Sequence, residues 1–190
     1  MSTGIGIGIV GNVFQTRAGL ASGGGEDTVT DGLIFRVDAG DSSSYSGTGT
    51  TWTDVINANN GTILNGTAYN SAQGGYFEFD GVDDQVDFGQ PAILESFPMS
   101  IDLWFYAYAD NDGLITKGTT RGSASQRDWD ITGAGTILGW FVSYGSDYSV
   151  KVRETYPSLN NWHHLVCLWD GTTSFNGAKT YLDGSLFKEA

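Results

Sequence analysis

The stretch that decides the fold is "MSIDLWFYAY", Met99–Tyr108. Read with a period of two, it places Met99, Ile101, Leu103 and Phe105 on one side and Trp104, Tyr106 and Tyr108 on the other. No helical repeat of three to four residues runs through it. Apolar residues on both faces are what a central strand of two packed sheets carries, so Met99–Tyr108 is expected to lie inside a β-sandwich, covered on both sides.

Working outward, the rest of the chain from Gly32 repeats this grammar of short β segments separated by turn residues. "LIFRVDAG" predicts a strand at 33–38, "GTILNGTAY" one around 61–69, "YFEFD" one at 76–80, and "QVDFG" one after the "GVDD" turn. "GLITKG", "DWDIT", "TILGWFVSY", "YSVKVRE" and "NWHHLVCLWDG" continue the series, and "KTYLDGSLFKE" predicts a hairpin across Asp183–Gly184. The 28 glycines, against three prolines, suit many tight turns. The expected class is all-β, an antiparallel β-sandwich of jelly-roll type.

Residues 1–30 read differently. "GIGIGIV" alternates glycine and isoleucine, a pattern for a strand with one apolar face that needs a partner surface. "LASGGGEDTVTDG" reads as a flexible linker. The expected organisation is therefore an extended N-terminal arm and tether over 1–30, with Ile5, Ile7, Ile9, Val10 and Phe14 as its docking residues, and a sandwich over 31–190. The terminus "MSTGIGIGIVGNVFQTR" has neither a basic stretch ahead of its apolar part nor a small-residue cleavage site, so it does not read as a secretory signal. No apolar run approaches the ~20 residues of a spanning helix, and membrane insertion is not expected.

Composition narrows the partners. Nine basic residues against 22 acidic ones give a net charge of −13, a field that repels phosphate backbones. Nucleic acid is not an expected partner; a cation or an uncharged ligand such as sugar is compatible. Cys167 is the only cysteine, which excludes an internal disulfide and a cysteine-based zinc site. Within "HLVCLWD" it reads as a buried, inert thiol.

The residues and their order resemble a known family. "GLIFRVDAGDSSSYSGTGTTWTDVINANNGTILNGTAYNSAQGGYFEFDGVDDQVDFG" is similar to the front half of laminin-G-like domains of the concanavalin A-like lectin/glucanase group, especially versions in structural proteins of tailed bacteriophages. "MSIDLWFY", "NWHHLVCLWDG" and "KTYLDGSLF" match later strands of the same family, so the resemblance spans 31–190. Family members normally continue past the "YLDG" hairpin with strands that lie beside the first one. Here the chain stops at Ala190, and the sandwich is expected to lack those last strands. A longer protein, a neighbouring subunit or the "GIGIGIV" arm are the three ways to cover the edge that this leaves.

Three candidate sites follow. Glycoside hydrolysis needs two carboxylates ~5–10 Å apart, and related glucanases use a Glu-x-Asp-x-x-Glu triplet that this chain lacks. Its nearest pairs are Glu78 with Asp80 and Asp128 with Asp130, each on one strand face. A calcium site is the second candidate, since calcium takes six to eight oxygens: Asp80, Asp83, Asp84 and Asp87 cluster in sequence, with Asp38, Asp41 and Asp54 as a further group. The competing reading is that these aspartates cap turns. The third is glycan recognition by aromatic side chains among polar loops, assigned to Trp129, Trp140, Tyr144, Tyr148 and Tyr156 with Asp128 and Asp130, while Trp52, Trp104 and Trp162 are expected in the core. Of the pair His163–His164, on opposite faces, His164 shares its face with Trp162, Val166 and Leu168 and reads as a core histidine. The serines have no nucleophile-elbow context, and "GIGIGIVGN" matches a dinucleotide loop only superficially because no βαβ unit surrounds it.

The resemblance, with the missing carboxylate triplet, implies a non-enzymatic phage particle component (decoration, fibre or tail surface) on the virion surface. It is expected to form homo-oligomers, to join other virion proteins through its arm by strand addition, and to touch host surface polysaccharide. No cofactor is required, with structural calcium as the candidate. A secreted bacterial adhesin or lectin is the alternative, and would need the export signal that the terminus does not resemble. A glycoside hydrolase would need the missing triplet.

Overall fold

The computed structural model describes residues 13–14, 31–95, 98–110, 113–118, 129–144, 147–171 and 177–189. These form an all-β, antiparallel structure without an α-helix, as expected. The strands are β1 (Val13–Phe14), β2 (Thr51–Trp52), β3 (Gly61–Leu64), β4 (Ala68–Asn70), β5 (Tyr76–Glu78), β6 (Gln85–Asp87) and β7 (Met99–Tyr106). They continue as β8 (Gly113–Lys117), β9 (Trp129–Ala134), β10 (Ile137–Tyr144), β11 (Asp147–Thr155), β12 (Trp162–Trp169), β13 (Ala178–Leu182) and β14 (Ser185–Glu189).

A seven-stranded sheet runs in the order β14-β13-β12-β7-β1-β5-β4; a four-stranded sheet (β11-β10-β9-β8) and a three-stranded one (β2-β3-β6) complete the fold. Both smaller sheets pack on one face of the large sheet. Trp52 of β2 meets Phe77 of β5 with ring centroids 4.7 Å apart, and Ile131, Leu138, Trp140 and Val152 of the four-stranded sheet face Leu165 and Cys167 of β12. Phe77, Val86, Phe105 and Leu114 are wholly buried in this core, each stabilising the fold by roughly 1.5–3 kcal/mol. Burial also pushes the Cys167 thiol far up, so it is inert as a nucleophile, as the sequence suggested.

The strands follow the alternation rule, but the faces are not those expected everywhere. In β12, His163, Leu165, Cys167 and Trp169 are buried, whereas Trp162, His164, Val166 and Leu168 lie on the outward face. The core histidine is therefore His163, not His164. In β7, Leu103 and Phe105 are buried while Trp104 and Tyr106 face outward, only partly covered. Met99–Tyr106 is a central strand, flanked by β12 and β1, yet among the described residues only one of its apolar faces is packed by another sheet. Trp104 and Trp162 accordingly lie outside the core that Trp52 does join.

Two further segments depart from expectation. Residues 33–38 form no ladder, because side chains and isolated bonds satisfy their backbone instead. Arg36 N donates to Asp54 Oδ1 at 3.0 Å, Asp38 N to Ser44 Oγ at 3.0 Å, and Asn57 Nδ2 to the Ile34 carbonyl at 2.8 Å. The run 61–69 is two strands, since Asn65 (φ 60°) and Gly66 (φ 103°) turn the chain from the three-stranded sheet into the seven-stranded one. Glycine suits a φ that far into the left-handed half. The Asp183–Gly184 hairpin forms as predicted, with φ of 50° and 79° at its two central residues, the requirement of a type I′ turn.

Strand addition by the amino-terminal region is observed at Val13–Phe14, into this chain's own sheet. Phe14 has Phe77 and Phe105 as its register partners, and Val13 pairs with Tyr106. Ile5, Ile7, Ile9 and Val10 lie outside the described residues. No helix among the described residues is long and apolar enough to cross a membrane.

Candidate ligand face

Among the described side chains, the residues expected to bind glycan do not form a surface platform. Trp129, Trp140 and Tyr156 are core residues, 4%, 1% and 8% exposed. Trp129 and Trp140 belong to β9 and β10, the interior strands of the four-stranded sheet. Trp129 Nε1 donates to the Leu94 carbonyl at 3.1 Å, which anchors the ring inward. Asp130 is buried as well. The backbone of Tyr144 and Tyr148 sits at the β10–β11 end, in register with Asp147 and Ser143; their side chains, and Asp128, lie outside the described residues.

An aromatic layer lies instead on the outward face of the seven-stranded sheet. Tyr76 and Glu78 alternate with buried Phe77 on β5, and Trp104 and Tyr106 alternate with buried Phe105 on β7. The Trp162 ring lies 5.6 Å from both Tyr76 and Tyr106 in edge-on contacts, and Tyr106 meets Tyr108 at 5.1 Å. Tyr108 is 59% exposed. Beside them, His164 stacks on Trp104 at 4.8 Å and holds Asp102 Oδ1 at 3.0 Å from its Nε2. Partial burial, then the Glu78 charge, push the phenols of Tyr76 and Tyr108 up from the ordinary tyrosine value. This face thus combines π surfaces, phenol hydroxyls and carboxylates. Such a surface stacks on the apolar side of a sugar ring and bonds its hydroxyls.

The "GVDD" turn brings together three of the four aspartates expected to hold calcium. Carboxylate oxygens of Asp80, Asp83 and Asp84 lie within 4.8 Å of one another. Two of the three carboxylates also close the turn: Asp80 Oδ1 accepts from Val82 N at 2.8 Å, and buried Asp84 accepts from Asp80 N at 3.0 Å. Those bonds hold the Asp80 carboxyl below its ordinary value, the Val82 amide foremost. Asp87 does not join; it accepts from Gly89 N at 2.7 Å. The three carboxylates supply only part of a calcium shell of six to eight oxygens, and their hydrogen bonds are those of a turn that stands by itself.

The second acidic group is also committed to the backbone. Asp54 accepts from the amides of Arg36, Ile56, Asn57 and Asn59 and from Asn59 Nδ2. Burial by itself would raise its carboxyl, but the Arg36, Ile56 and Asn59 donors hold it below the usual carboxylate range. Asp38 and Asp41 flank the Arg36 guanidinium at 3.2 and 3.1 Å.

Of the two carboxylate pairs named from the sequence, the first is split by the fold and the second includes Asp128, outside the described residues. Glu78 points to the outward layer, while Asp80 closes the turn beyond β5. Ser158, His163 and Asp183 do form a bonded series, with His163 Nδ1 at 2.8 Å from Asp183 Oδ2 and Nε2 at 3.1 Å from Ser158 Oγ. The same Nε2 faces the Ser158 carbonyl at 2.9 Å, so backbone competes with hydroxyl for that nitrogen, and the series ties two loops to a core strand.

Comparison with protein families matches residues 80–190 to the family described as the concanavalin A-like lectin/glucanases superfamily. The match covers the chain from the "GVDD" turn through β14. Comparisons with curated proteins and with solved structures give no match.

Proposed function

The chain belongs to the concanavalin A-like lectin/glucanases superfamily, and we propose that it is a non-enzymatic carbohydrate-binding module whose glycan face is the outward side of the seven-stranded sheet. One observation carries this reading: Tyr76, Trp162, Tyr106 and Tyr108 form a continuous, partly exposed aromatic row with carboxylates beside it. A monomer rarely leaves such a patch bare without use. Rigid rings lose little entropy on binding and suit the flat faces of a polysaccharide.

The setting we propose is a tailed-phage particle, with the module at its surface touching host polysaccharide. The likeness of the strand motifs to phage structural proteins supports this, as does the Gly/Ile alternation ahead of β1, which suits backbone pairing with other virion proteins. Homo-oligomerisation would follow the particle's symmetry.

A glycan array probed with the wild-type chain, Trp162→Ala and Tyr108→Ala tests the binding claim. Wild type binds at least one polysaccharide class, and each substitution weakens that binding about tenfold or more, equivalent to ~1.4 kcal/mol. Binding untouched by both changes, or none across the array, would refute it. Mass analysis of purified particles tests the setting.

A further inference from the structure

We infer that the ligand of the outward face is cationic, an amino sugar whose free ammonium group is received by Glu78 among the rings of Tyr76, Tyr106 and Tyr108. This rests on the glycan-binding reading above and specifies its substrate class.

Glu78 is set for the role by three strands. On β5 it shares the outward face with Tyr76, two residues before it. From β4, Asn70 Nδ2 donates to Glu78 Oε1 at 3.3 Å, which orients the carboxylate. From the end of β7 come Tyr106 and Tyr108, and the Glu78 charge reaches the phenol of Tyr108 as well as that of Tyr76. The carboxylate thus lies beside Tyr76 and Tyr108 on the aromatic face.

Among the described residues its charge has no counter-ion. Arg36 is held by Asp38 and Asp41, Lys179 by Glu189, and Lys188 by Glu154, and among the described residues no cation stands in ion-pair reach of Glu78. The other carboxylate of the face, Asp102, is engaged by His164. A partly covered carboxylate beside aromatic rings is an environment that an alkylated or sugar-borne ammonium satisfies, through charge pairing and cation–π attraction together. The net charge of −13 adds a long-range field of the same preference. Acidic polysaccharides are disfavoured by both.

The test compares a glucosamine oligomer with the N-acetylglucosamine oligomer of equal length by titration calorimetry, at low salt and at a pH where the free amine is protonated. The proteins are wild type, Glu78→Gln, Trp162→Ala and, as a remote charge control, Glu189→Gln, each checked for a wild-type melting transition. Wild type and Glu189→Gln are expected to bind the glucosamine oligomer about tenfold or more tighter than its acetylated counterpart. Glu78→Gln brings the two within about twofold. Equal wild-type affinities, or a preference that survives Glu78→Gln, overturn the inference; if Trp162→Ala still weakens both oligomers, the glycan-binding reading stands without it. Failure of the glucosamine oligomer to bind overturns the inference, and indifference to Trp162→Ala tells against the face itself.

Discussion

His163, buried on β12, has its Nδ1 2.8 Å from Oδ2 of Asp183, the first central residue of the β13–β14 turn. The other carboxylate oxygen of Asp183 accepts from His164 N at 2.9 Å. One aspartate thus clamps the hairpin turn onto the neighbouring strand, while His163 Nε2 reaches back to Ser158 in the loop before β12. Asp183→Ala removes both bonds and the short polar side chain that tolerates a positive φ. The melting temperature is expected to fall by several degrees, and Asp183→Asn to recover part of the loss through its amide oxygen. Thermal unfolding followed by circular dichroism checks this; no change for Asp183→Ala would mean the clamp is incidental.

Asp54 gives the fold an acid sensitivity. Burial opposes its charge, but the ring of amide donors depresses its folded-state carboxyl below the ~3.9 of an unfolded aspartate. A depressed carboxylate contributes stability that is present above the unfolded value and is lost as pH falls through the folded one. Wild type is therefore expected to lose stability progressively below about pH 4. Asp54→Ala leaves several part-buried amides unpaired, costs roughly 1–3 kcal/mol at neutral pH, and flattens the pH slope in that acid window. Urea unfolding at a series of pH values reads both effects.

The aspartates of the "GVDD" turn give opposite outcomes for a turn and for a metal site. If Asp84 acts by accepting from Asp80 N, Asp84→Ala lowers stability by about 1–2 kcal/mol equally in calcium and in chelator. Differential scanning calorimetry under the two conditions distinguishes them. A wild-type transition that drops sharply on chelation, with Asp84→Ala insensitive to it, would assign the cluster to a structural ion.

β1 is two residues long, yet it is the only strand between β5 and β7. Removal of residues 1–14 breaks the seven-stranded sheet into two parts at that seam and exposes the β7 edge to other chains. The truncated chain is expected to melt several degrees lower and to self-associate, measured by calorimetry and by light scattering. A truncated chain with wild-type melting and mass would show that the seam needs no strand there.

Much of this fold is legible in the sequence because period-two alternation and turn chemistry act locally. The Asp183–Gly184 hairpin and β5 to β14 fall where their residues predict them. The site is less legible. In β12, Trp162, His164, Val166 and Leu168 are as apolar as His163, Leu165, Cys167 and Trp169, so alternation separates the two faces without saying which one another sheet will cover. That choice is made by long-range packing. Trp129 and Trp140 border polar loops in sequence but belong to interior strands, which buried them, while Tyr76, Trp104, Tyr106 and Trp162 were left outward. A composition cue existed: the outward set carries Glu78, Asp102 and His164, and the inward one carries a single histidine. Residues 33–38 read as a strand because they are apolar and extended, although side chains such as Asp54 take the backbone bonds that a ladder would have used.

The central claim is that ligand meets the outward aromatic face. Of the six tryptophans, Trp52, Trp129, Trp140 and Trp169 are buried and Trp104 and Trp162 are partly exposed, so acrylamide quenching of tryptophan fluorescence reports on that face alone. With a bound glycan, the quenchable fraction is expected to fall, and to fall much less in Trp162→Phe. A glycan that binds tightly yet leaves acrylamide quenching of the wild type unchanged would place recognition elsewhere on the molecule.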